Sequence, residues 1–139
     1  MKQHRADITI STTDGTDVLD ITEKSQAFVA ESGITNGLFT ASIPGSTASI
    51  TTIEFESGAV ADLKRAISEI APKDMEYKHD ARWGDGNGYS HVRAAVMKPS
   101  LAIPIDGGRI LLGTWQQLVL MDFDNRGRKR KIALHAIGE

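Results

Sequence analysis

The residues best equipped for chemistry lie within residues 79–99, in the run HDARWGDGNGYSHVRAAVMKP. Gly84, Gly86 and Gly88 alternate there with Asp85 and Asn87. Glycine at that density lets successive backbone N–H groups turn inward and form a concave nest for an anion. Ser90 stands where a helix N-cap belongs, ahead of a helical run over 91–96 that Pro99 stops. A loop of this kind opening a helix offers unpaired N–H donors and the positive end of the helix dipole. The expected site is therefore a phosphate or diphosphate cradle made by Gly86, Asn87, Gly88 and Ser90. His91 and Arg93, in the first turn, would add donors and charge. The competing reading is a Gly-rich connector before a short helix.

His79 and His91 stand on either side of that loop. With Asp80, Asp85 or Glu54 they could ligate a divalent metal, Mg²⁺ or alternatively Zn²⁺, because imidazole and carboxylate suit that chemistry. Two histidines hydrogen-bonded within a loop explain the spacing equally well. Glu54 follows Ile53 and precedes Phe55, so a strand would turn it to the opposite face, toward either solvent or a pocket. His4 is expected in a frayed terminus and His135 in a strand, both structural or solvated. Arg126, Arg128, Lys129, Arg130 and Lys131 crowd five basic side chains into six positions. They straddle a turn without interleaved aromatics, the pattern of a solvated hairpin tip rather than an RNA platform. Trp115 is expected as a core or interface aromatic, and either Gln116 or Gln117 should point inward. No Ser–His–Asp arrangement with elbow glycines is present, which disfavours a serine hydrolase.

The elements that must position these groups follow from periodicity. Ten of the eleven threonines fall within the first 52 residues, where β-branched runs alternate with turn residues. Residues 6–13 and 16–21 read as strands joined by an Asp14-Gly15 hairpin. Thr22 reads as the N-cap of a helix ending near Gly33. Strands are expected over 37–43 and 47–56, broken at Pro44-Gly45. Val60, Leu63, Ile67 and Ile70 form one apolar helical stripe closed by Pro72, with Asp62, Lys64, Arg65 and Glu69 on a solvated face. Residues 100–105 and 109–112 flank a second hairpin turn at Asp106-Gly107-Gly108. Strands over 116–123 and 129–137 are expected to pair across 124–127. The pattern predicts an α+β fold with an antiparallel-leaning sheet system and helices on one side. So many strands in a short chain also predict an apolar face that a neighbouring subunit covers.

Composition narrows the field further. The 139 residues suit one domain, 40% apolar and 24% charged, with a formal net charge of −2. Such a balance argues against a general nucleic-acid binder, which needs a broad basic surface. No run approaches the ~18 apolar residues of a membrane span, and no secretory signal is visible behind the first charges. The absence of cysteine excludes disulfides, thiolate-ligated zinc, iron–sulfur clusters and thiol nucleophiles, and makes the cytoplasm the default compartment.

Two segments together carry a specific resemblance. The run over 86–93 (GNGYSHVR) and the GTWQ of 113–116 are similar to the YjbQ-like family, and the likeness extends through 45–54 (GSTASITTIE) to nearly the whole chain. The resemblance implies a single YjbQ-like domain over 1–139, a β-sandwich of mostly antiparallel strands with a few helices, assembled as a homotrimer. It implies a secondary thiamine-phosphate synthase, which joins a hydroxymethylpyrimidine diphosphate to a thiazole phosphate and releases diphosphate. The family's polar positions carry over onto His79, Asn87, His91 and Glu54, while many members have His where this chain has Gly45. A non-catalytic trimer that holds a phosphorylated metabolite or metal ion is the second reading.

Overall fold

A computed structural model describes residues 1–139. Twelve elements follow one another: β1 (Lys2–Ser11), β2 (Asp17–Asp20), α1 (Thr22–Ser32), β3 (Asn36–Ser42), β4 (Ala48–Ile53), α2 (Ser57–Ile70), α3 (Lys78–Trp83), α4 (Gly88–Met97), β5 (Ser100–Asp106), β6 (Arg109–Ile110), β7 (Gln117–Asp122) and β8 (Lys129–Gly138). The strands form a five-stranded sheet in the order β1-β8-β3-β5-β6 and a three-stranded sheet in the order β2-β7-β4. Every pairing is antiparallel. The fold is thus α+β, as expected.

Alternation along β7 explains the layers. Leu118 and Leu120 join Phe39, Ile132, Leu134 and α1's Phe28 in the main core between the sheets. Val119 and Met121, turned the other way, pack with Ile67 of α2 and Ala94 of α4. A strand apolar on both faces belongs between two layers. β7 is that strand, and α2 and α4 cover the outer face of its sheet.

Two expected strand pairings and one helix cap differ. Asp14-Gly15 does not close a hairpin, because β1 pairs with β8 while β2 pairs with β7. The Thr13 hydroxyl instead donates to Asp17 at 2.8 Å, and Thr16 takes φ 56° as the chain crosses between sheets. Residues 124–127 likewise carry the chain from one sheet to the other, so β7 and β8 do not pair. Thr22 is the first helical residue rather than the cap, and its hydroxyl accepts the Leu118 N–H at 2.8 Å. The Asp106-Gly107-Gly108 hairpin forms as read, with both glycines in the left-handed region. His4 is not frayed but lies in β1 opposite Ala136, its ring 4.9 Å from that of Phe28.

The run of basic residues is not a hairpin tip, and only part of it is solvated: Arg126, Lys129 and Lys131 are exposed, while Arg130 is buried. Alternation along β8 turns Lys129 and Lys131 outward and Arg130 inward. The Arg130 guanidinium donates to both oxygens of Asp122, at 2.7 and 3.1 Å, and to the Thr47 hydroxyl at 2.6 Å. Thr47 in turn donates to Asp124 at 2.9 Å, where Arg128 pairs at 3.0 Å. Burial alone would raise the pKa of Asp124, but the bonds from Thr47 and Arg128 hold it below the ordinary carboxylate value. This network joins β8 of the five-stranded sheet to β7 of the three-stranded one.

Candidate functional site

The loop between α3 and α4 is shaped by its glycines and by two carboxylates. Gly84 and Gly86 lie in the left-handed region at φ 67° and 66°. The loop N–H groups do turn inward, but the chain's own side chains meet them. Asp80 accepts the Gly88 N–H at 2.8 Å and Asp85 accepts the Asn87 N–H at 3.2 Å. A side chain at Gly88 would lie 2.6 Å from Cβ of Tyr77 and 3.1 Å from Asp80, so only glycine allows α4 to start this close to α3. The helix begins at Gly88, with Asn87 at the cap position. Ser90 is not the cap: it lies within the first turn, and its hydroxyl donates to Asn87 Oδ1 at 2.6 Å. Asn87 Oδ1 also accepts the Asn125 N–H at 3.2 Å, fixing the loop against the 124–127 turn.

His79, Asp80, Asp85 and His91 come together around this loop. The Nδ1 of His79 is 3.3 Å from Asp85 Oδ1 and 3.5 Å from Asp80 Oδ1. One ligand atom from each of these three residues lies within 4.8 Å of the others. The rings of His79 and His91 are 4.5 Å apart between centroids. Nδ1 of His91 is 3.2 Å from the Ser46 carbonyl oxygen. A carbonyl only accepts, so Nδ1 carries a proton and Nε2 is the nitrogen left without a partner in the chain. A histidine held this way through one nitrogen has its other nitrogen oriented for a metal or a proton. Gly45 lines the same small cavity as Ser46 and His91.

The other two predicted catalytic residues are elsewhere. Glu54 follows the end of β4, is exposed, and is not part of the converging cluster. Arg93 faces away from His91 toward α2. It is 3% exposed, donates from Nε to the Ala71 carbonyl at 2.9 Å, and lies 4.8 Å above the Tyr89 ring. Burial lowers its pKa from the ordinary arginine value. Lys64, Lys73 and Tyr89 surround it, none of which sequence reasoning selected. The Tyr89–Arg93 spacing of one helical turn was the available signal, since such pairs stack. Trp115, expected in a core or interface, is 72% exposed, so it is not a core residue. Gln116 and Gln117 divide their work: Gln116 bonds Thr52, and Gln117 accepts the Phe55 N–H at 2.8 Å.

Comparison with known proteins agrees with this architecture. The sequence model of a family described as UPF0047 protein YjbQ-like matches residues 6–139. The chain is 34% identical to the UPF0047 protein YugU of Bacillus subtilis over 83% of this chain and 86% of that one. It is 33% identical to a UPF0047 protein of Mycobacterium tuberculosis, strain H37Rv, over 84% and 86% of the two chains. Among solved structures, a YbjQ-like protein of unknown function from Sulfolobus solfataricus P2 superposes with a TM-score of 0.94. It shares 30% identity, with 99% of each chain covered.

Proposed function

Because the chain belongs to the YjbQ-like UPF0047 family, we propose that it binds a divalent cation at His79, Asp80 and Asp85, beside His91, and presents it to a small phosphorylated metabolite. The observation that carries this reading is the approach of His79 Nδ1 to two carboxylate oxygens. Two carboxylates and a neutral imidazole offer the charge and donor types that suit Mg²⁺, or Zn²⁺ through the nitrogen. The loop N–H groups already serve Asp80 and Asp85, so they support a cation between the carboxylates better than a phosphate in the loop. A bound cation would then be the group that meets a phosphate oxygen.

Isothermal titration of tag-free protein with MgCl₂ and with ZnCl₂ tests the site. One cation per chain is expected, and absence of binding to either at millimolar concentration rejects the reading.

The reaction that best fits the same residues is the joining of a pyrimidine diphosphate to a thiazole phosphate. His91 beside the cluster supports it, because C–N bond formation expels diphosphate and the negative charge that develops on it can be neutralised by a bound cation and a neighbouring imidazole N–H donor. Incubation of cation-loaded protein with both substrates should then yield thiamine phosphate. Cation binding without product leaves the binding-protein form of the proposal. No helix is long and apolar enough to cross a membrane, and a cytoplasmic homotrimer is the proposed working form. Leu111, Trp83 and Trp115, all more than half exposed, support an assembly that covers them. Sedimentation equilibrium should give three chain masses; a single chain mass at micromolar protein rejects the trimer.

A further inference from the structure

A second site lies on the opposite side of α4. The connection between β1 and β2, the C-terminal half of α2 and the segment after it enclose an open cavity of about 480 Å³. Lys64, Arg65, Lys73 and Arg93 line it, against the single carboxylate of Asp74. Arg65 is already paired with Glu69 at 3.0 Å. Arg93, Lys64 and Lys73 belong to no ion pair of the chain.

Arg93 makes this more than a basic patch. A guanidinium this deeply buried is ordinarily matched by a carboxylate, because removing a charge from water is costly unless it is paired. Here its only side-chain hydrogen bond runs from Nε to the Ala71 carbonyl. The face of Tyr89 supplies the remaining compensation: Lys73 Nζ is 5.5 Å and Arg93 Cζ 4.8 Å from that ring's centroid. The Tyr89 hydroxyl is itself buried without a hydrogen-bond partner. Across the cavity stands Thr16, a β-branched residue held at φ 56°, a conformation that such residues rarely adopt. Strain of this kind persists where the surroundings hold it, often at a ligand site.

We infer that this cavity binds a diphosphate group through Arg93, Lys64 and Lys73, with Thr16 offering a hydroxyl at its wall. Three unpaired cations suit a diphosphate better than a single phosphate, and the planar guanidinium suits its paired oxygens. The inference stands on residues separate from the imidazole–carboxylate cluster and does not depend on a cation there.

Isothermal titration with inorganic pyrophosphate, in EDTA and at low salt, tests it on the full chain. One pyrophosphate per chain is expected, bound more tightly than orthophosphate. Lys64 and Lys73 reach the cavity from the surface, so the K64A/K73A variant should fold and should lose affinity by at least about tenfold. The Lys24→Ala/Lys131→Ala variant removes as much charge elsewhere and should bind like the parent. Arg93→Met should lose binding while keeping or raising its melting temperature, because it removes a buried charge that no carboxylate of the chain matches. Failure of the parent to bind pyrophosphate at millimolar concentration overturns the inference. So does equal loss of affinity in the two lysine double variants, or loss confined to His79→Ala. Dissociation of the assembly by K64A/K73A without any pyrophosphate binding would assign the cavity to a neighbouring chain's carboxylate and equally overturn it.

Discussion

Replacing Arg130 with methionine should cost about 3–5 kcal/mol, the range found when one partner of a buried ion pair is removed. Asp122 is fully buried and Asp124 nearly so. The Arg130 guanidinium donates twice to the first and reaches the second through Thr47. Methionine roughly keeps the length and apolar stem of the side chain. The loss therefore falls on a carboxylate left in the core without its partner rather than on a cavity. Against a typical total of about 5–15 kcal/mol, such a change leaves a marginal fold. Lys129→Met and Lys131→Met, on the outward face of the same strand, should each stay within about 0.5 kcal/mol of the parent. Urea unfolding midpoints for the three variants decide the matter. A loss below about 1 kcal/mol in Arg130→Met would show the network to be dispensable.

The same network has a defined pH dependence. Asp124 is held below its unfolded value, so its contribution is complete above about pH 4, the ordinary carboxylate range. It is lost as the pH falls through the depressed folded value. Stability should accordingly decline with acid below that range.

The contrast between Arg130 and its neighbours also shows what a linear reading can reach. Five basic residues in a row look like one feature, and only the register of β8 separates them into outward lysines and an inward arginine. Periodicity gave α2 and the Asp106-Gly107-Gly108 hairpin because those depend on contacts within a few residues. It misassigned Asp14-Gly15 and the 124–127 turn because strand partners are chosen by the hydrophobic faces of two sheets, not by the turn residues alone. At the candidate site, the inward-turning N–H groups were legible from glycine spacing. That Asp80, in the preceding helix, and Asp85 would occupy them was not. Arg93 illustrates the remaining gap. Two residues along a helix turn a side chain by more than half a revolution, so His91 and Arg93 could not share one pocket.

His79→Ala should lower cation affinity by at least about a hundredfold, since loss of a ligand exceeds the 10–100-fold typical of supporting residues. A structural role for His79 predicts something different. A protonated imidazole between Asp80 and Asp85 would neutralise two neighbouring carboxylates whether or not a cation were available. The alanine variant would then melt lower than the parent in EDTA. If the carboxylates instead await a cation, parent and variant should melt alike in EDTA, because the cluster lies at the surface of a six-residue helix. Adding cation to one hundred times its dissociation constant should stabilise the parent by about 2.7 kcal/mol and the variant scarcely at all. His91→Ala separates the second role. With Nδ1 committed to Ser46, His91 can serve the reaction through Nε2 without being needed to retain the cation. That variant should keep most of the cation-dependent stabilisation while losing about 10²–10⁴-fold in thiamine phosphate formation. Equal turnover in His91→Ala would remove it from the reaction and leave cation binding as the activity of the site.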